Sequence, residues 1–161
     1  MQLTDAIRQA FQAVVVAHKT GVTFTLETNK ILDQDSGIKY PACAWILPTT
    51  GLVQVASILE DSYTLNCLFI DQTGSDRNPI ERDGAHARME AIAKQCWRRF
   101  FDLYIAVQGS YQGQDMDLLQ EGPVTFTPIY DEGTMQRTGV GMTVTIMDKG
   151  QAECVDTYFN G

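Results

Sequence analysis

The side chains best suited to chemistry are His18 and His86, the four cysteines, and two acidic stretches, "DQDSG" at 33–37 and "DMDLLQE" at 115–121. His86 and Glu90 are one turn apart on a predicted helix and face the same way, as an acid–base pair must. No nucleophile stands beside them, so they read as an ion pair on the helix surface. His18, at the end of the first predicted helix, complements the helix dipole. Cys43, Cys67, Cys96 and Cys154 form no CxxC pair, and the histidines supply none of the close spacing a structural zinc needs. Cys43, Cys67 and Cys96 lie in apolar patterns and read as reduced core thiols, so no disulfide framework is implied. "DQDSG" has its glycine fifth and Ala44 at the twelfth position, where an EF-hand needs a sixth-position glycine and a Glu. Asp115, Asp117 and Glu121 fall on a predicted loop and read as solvated and metal-free. No GK[ST] phosphate loop is present, and "GVGMTV" opens a strand and lacks the third glycine of a dinucleotide fingerprint. The expectation is a protein with no catalytic residue, metal or cofactor, and not an enzyme.

The elements that would position these groups follow a clear order. A helix is predicted over 4–18, with Ile7, Phe11, Val14 and Val15 on one face. "VTFTLET" (22–28) alternates as a half-buried strand, with Val22, Phe24 and Leu26 inward. A second strand is predicted around "IKYPACAWIL" (38–47), at an edge near Pro41 or starting after it. "LPTTG" (47–51) is turn chemistry, and "LVQVAS" (52–57) reads as a short strand. "SYTLNCLFID" (62–71) is the clearest central strand. Apolar side chains on both its faces predict that both are covered, one by a helix. A long helix is then expected from an Asn78 N-cap and Pro79, with Met89, Ile92, Cys96, Phe100, Leu103 and Val107 as one stripe. After the polar loop "QGSYQGQD", the strands "GPVTFTPIYD" and "VGMTVTIMDKG" form a closing β-hairpin, with Val124, Phe126, Met142, Val144 and Ile146 inward. The tail "QAECVDTYFNG" has no clear period. Together these predict one α+β domain over 1–161, with 148–161 a tail. It would be a mainly antiparallel sheet with an N-terminal helix and one long helix packed on it.

The chain carries 12 basic and 20 acidic residues, for a net charge of −8. That argues against a nucleic-acid binder working through its whole surface. No apolar run is long enough to cross a bilayer, and the N-terminus reads as a helix and not a signal peptide, so synthesis in the cytoplasm is the expectation. Six basic residues, Arg77, Arg82, Arg88, Lys94, Arg98 and Arg99, cluster in 77–99. They read either as a solvated helix face or as a cationic patch for an acidic partner.

The element order resembles the tail-terminator and head-to-tail joining (neck) proteins of tailed bacteriophages. The resemblance rests on "YPACAWIL" after a polar loop, "YTLNCLFID" leading into the long helix, and the late "RTGVGMTVTIMD". This last stretch is similar to the final strand of related proteins in phages of Bacteroidetes hosts, including the crAss-like group. The resemblance implies a virion protein at the head–tail junction or in the tail, made in the bacterial host cytoplasm. It implies a homo-oligomeric ring, sixfold or twelvefold, that contacts portal, neck or tail proteins and lets DNA pass without sequence-specific binding. The family brings no catalytic residues.

For such a ring, Trp97, Arg98, Arg99, Phe101 and Tyr104 are the candidate interface, because aromatics beside arginine favour protein contacts; a place in the core is the competing reading of the aromatics. Thr143 and Thr145, pointing out of the last strand, are candidates for a face towards the channel or the next subunit. Two other readings stay open: an α+β binding module or small enzyme, and a nucleic-acid binder using the 77–99 basic helix.

Overall fold

The computed structural model of the chain describes residues 2–26, 37–72, 79–129 and 137–149. Helix α1 (Leu3–Val16) buries Ala6, Ile7, Ala10, Phe11, Val14 and Val15, the stripe expected from their three- and four-residue spacing. Five strands form one sheet: β1 (Thr23–Thr25), β2 (Ala42–Val55), β3 (Ile58–Gln72), β6 (Leu118–Ile129) and β7 (Arg137–Asp148). Their order is β1-β2-β3-β7-β6. All neighbours pair antiparallel except β1 with β2, which are parallel. Between β3 and β6 come helix α2 (Pro79–Phe100), a π-helical segment over Phe101–Ala106, and the small hairpin of β4 (Ser110–Tyr111) and β5 (Gln114–Asp115). The fold is therefore α+β, with the predicted N-terminal helix, long helix and β6–β7 hairpin. Asn78, the predicted cap of α2, and Cys154 in the tail lie outside the described residues.

Both helices pack on the same face of the sheet, over Cys43, Trp45, Leu65, Cys67, Phe69, Val140, Met142, Val144 and Ile146. Phe11 is the hub, with ring centroids 5.9 Å from Trp45, 6.4 Å from Phe69, 6.3 Å from Trp97 and 5.7 Å from Phe100. Close approach is built into β7, where a Cβ on Gly139 would sit 1.8 Å from the Phe69 carbonyl oxygen.

The opposite face is covered differently. No described helix covers it. Only at one end does a small apolar cluster form, of Ala42, Ala44 and Ile70 with Ile38, Tyr40 and Leu68. Leu68 and Ile70 are apolar because of this local cap and not because of a second layer of helix.

Other corrections concern the β2–β3 region and the strand before it. "LPTTG" is not a turn: β2 runs through it without a break to Val55. Pro48 falls in the register shift between Ile46 and Thr49. A bulge leaves a backbone group unpaired, so a residue without an N–H is tolerated there. The predicted separate strand over 52–57 is the far half of β2. It reverses through Ala56-Ser57, with Ala56 at φ 57 and its carbonyl accepting from the Gln54 side chain at 2.9 Å. Leu26, expected inward, is 55% exposed. The polar loop after the long helix contains the β4–β5 hairpin, whose turn residues Gln112 and Gly113 have φ 48 and 80.

Candidate assembly surfaces

Three surface features follow from this arrangement. The first is an arm. β3 pairs with β7 only as far as Ser62↔Met147, while β2 and β3 continue to pair with each other from Leu52↔Asp61 to Val55↔Ile58. Residues 52–61 are thus a two-stranded ribbon standing about 13 Å past the sheet, at about 3.3 Å per residue. Residues directly opposite share a face, which puts Leu52, Leu59, Gln54 and Asp61 on one side and Val53, Val55, Ile58 and Glu60 on the other. The arm is apolar on both sides, with Leu52 66% and Leu59 57% exposed. Asp61 is exposed as well, and one carboxylate oxygen of Glu60 is shielded without a hydrogen-bond partner. An isolated two-stranded hairpin is marginal in water, and no other element among the described residues covers this one.

The second feature is a cleft of about 580 Å³ between the end of α1 and the end of α2 with its π-helical segment. Its apolar wall includes Val14, Ala17, Cys96 and Leu103, and Lys19 and Arg99 stand at the cleft. His18 joins the two helices: its Nδ1 accepts from the Thr20 N–H at 3.2 Å, and its Nε2 pairs with Gln95 Oε1 at 2.7 Å. That is a bracing role at the C-terminal end of α1, which closes at Val16 with Ala17 as its cap. π-helical turns are uncommon and often mark functional places. Here the segment brings Leu103 and Tyr104 to the cleft. Burial, Tyr111 and, in the opposite sense, Arg99 act on the Tyr104 phenol, whose pKa is raised on balance.

The third feature is the sheet face that no described helix covers. Thr143 and Thr145 are half-buried there and hydrogen-bonded within it, Thr143 Oγ1 donating to Asn66 Oδ1 at 2.9 Å and Thr145 pairing with Thr64 at 3.1 Å. The outward orientation expected of them holds, and they knit strands together as well as facing outward.

The predicted interface set divides. Arg98 and Arg99 are exposed in the last turn of α2. Trp97 is 5% exposed, stacked on Phe100 at 5.2 Å, and donates its indole N–H to Gln120 Oε1 at 3.0 Å. It belongs to the core, since α2 must bury its widest side to close over the sheet. Phe101 and Tyr104 are partly buried against that core.

The basic cluster divides too. Arg82 meets Asp83, Arg88 meets Asp71, and Lys94 meets Glu90, at 3.3, 3.5 and 3.6 Å. Among the described residues, Arg98, Arg99 and Lys19 make no ion pair. Glu90 therefore pairs with Lys94 and not with His86, whose Nδ1–H donates to the Gly139 carbonyl at 3.0 Å. Cys43, Cys67 and Cys96 are buried free thiols, as expected. Burial pushes the Cys43 thiol well up, and pushes Cys96 up to about 12.

The arm was missed in the sequence because a run of strand formers predicts a strand without saying whether a neighbour lies on either side. Among the described residues, no helix is long and apolar enough to cross a membrane, and no group of His, Cys, Asp and Glu gathers as a metal site. Comparison with known proteins matches the chain to no family model and to no curated protein.

Proposed function

We propose that the protein is a structural subunit that assembles with copies of itself into a ring in the head-to-tail junction or tail of a tailed-phage virion. The observation that carries the assembly step is the arm over residues 52–61. It exposes Leu52, Val55, Ile58 and Leu59 at the end of a ribbon, with no layer among the described residues to cover them. Contiguous exposed apolar surface on a soluble fold is a mark of an interaction site. An arm at one place that must meet a different surface on the next copy makes a heterologous contact, which closes into a ring when the rotation allows.

The step from ring to virion rests on the resemblance of the element order to tail-terminator and neck proteins. The net charge of −8 suits a channel that DNA passes without being gripped. Pairing of Arg82, Arg88 and Lys94 with carboxylates leaves little of α2 to serve as a continuous nucleic-acid surface. Sedimentation and negative-stain imaging of the purified chain, alone and mixed with portal and tail proteins, test the proposal. Rings, or complexes with those proteins, are expected. A chain that stays monomeric and binds none of them would sink it.

A further inference from the structure

The arm and the cleft answer one another. We infer that the arm of one copy inserts into the cleft between α1 and α2 of the next. The inference rests on the assembly reading and names its contact. A ribbon that is apolar on both faces is satisfied by enclosure between two walls, as a buried strand is, and not by lying on a flat surface. The cleft offers two walls, Val14 and Ala17 from α1, Cys96 from α2 and Leu103 from the π-helical segment.

The charges match as well. The arm carries Glu60 and Asp61, and the cleft carries Lys19 and Arg99, which have no ion-pair partner among the described residues. Asp61 shares its face with Leu52 and Leu59, so an arm seated by these two leucines presents its carboxylate to the guanidinium of Arg99. The arm leaves the sheet beyond Thr50, which lies beside Thr4 and Asp5 at the N-terminal end of α1, whereas the cleft lies at the other end of α1, so the occupant is a second copy. Each copy then gives one arm and receives one, which is the pattern a closed ring requires. The arm gains a cover for its leucines, and the otherwise unpaired cations of the cleft gain carboxylates.

The test uses the full chain, with assembly mass followed against concentration and folding checked by circular dichroism and melting temperature. Leu52→Ser with Leu59→Ser, and separately Arg99→Asp, are expected to weaken self-association by roughly tenfold to hundredfold while the melting temperature of the subunit stays nearly unchanged. Asp61→Arg alone is expected to weaken it similarly, and Asp61→Arg combined with Arg99→Asp to recover much of the loss. If the wild-type chain assembles and neither the leucine pair nor Arg99→Asp changes its mass distribution, the arm–cleft contact is wrong and the ring reading survives. If the wild-type chain does not self-associate, alone or beside portal and tail proteins, and binds none of them, both fall. A third result also overturns the contact: dodecanoate, an apolar anion, raises the melting temperature through Arg99 while arm variants assemble normally. The cleft would then be a small-ligand site.

Discussion

The helix-backed body of the sheet and the arm at the end of β2 and β3 are built from the same strands, with opposite fates for their apolar residues. In the body, Leu65, Cys67 and Phe69 of β3 are at most 1% exposed. A few residues earlier in the same strand, Leu59 is 57% exposed and Ile58 44%. Local sequence does not separate them, since both stretches are rich in strand formers and both place apolar residues on either face of a strand. What separates them is the reach of their neighbours: β7 pairs with β3 only as far as Ser62, while β2 and β3 go on pairing to Val55 and Ile58. Burial in the body is supplied by the two helices, and among the described residues no element supplies it to the arm.

The contrast can be broken most directly in the body. Phe11→Ala is expected to destabilise the subunit by about 3–5 kcal/mol, because the ring touches four other aromatics and the cavity cannot close over. Denaturant unfolding of the monomer measures it, and a change below about 1 kcal/mol would mean the hub is not where stability resides. Next in size is Gly139→Ala. The added methyl meets backbone, the Phe69 carbonyl, and not the yielding end of a side chain. A loss near 3 kcal/mol is expected, the upper end of overpacking, read from the same unfolding curves.

A smaller effect comes from the buried thiols. The Cys96 pKa is raised to about 12 in the fold, against an ordinary value of 9.0, by burial and then by Cys67. A thiol held protonated in the fold contributes stability that is fully present below pH 9 and is lost as pH climbs from 9 towards 12. The wild-type denaturation midpoint should therefore fall more steeply above pH 9 than that of Cys96→Ala. Equal slopes would show that the thiol ionises as easily folded as unfolded. Smallest of all, Leu59→Ser in the arm should shift subunit stability by no more than about 0.5 kcal/mol, the usual range for a surface position. A loss of core size would mean that the arm already packs on its own chain.

Much of the body was legible. Tyr63, Leu65, Cys67 and Phe69 alternate, and they sit on the helix-facing side of the central strand. Ile7, Phe11 and Val14 give the first helix its face, and Met89, Ile92, Cys96 and Phe100 give the second. Three things were not legible, each for a physical reason. Pro48 inside "LPTTG" looks like a turn because proline removes a ladder donor, yet a bulge at that position needs no donor. The parallel pairing of β1 with β2 depends on where α1 sets the chain down, which no local pattern records. The surfaces were half visible: Arg98 and Arg99 are exposed as read, while the Trp97 indole is drawn into the core by Phe100 and Gln120. The arm stayed hidden because its defining property is that, among the described residues, no strand pairs with its outer edges. Alternation in a sequence speaks only for the strand that bears it.

The claim that the exposed arm is completed by another subunit is tested most directly by weighing the assembly. Mass photometry or light scattering of the wild-type chain, beside Leu52→Ser with Leu59→Ser, supplies the comparison. The account predicts a closed oligomer of defined multiplicity for the wild type, and smaller species for the variant with an unchanged fold. A wild-type chain that stays at monomer mass through micromolar concentrations and beside its neighbouring proteins would contradict it.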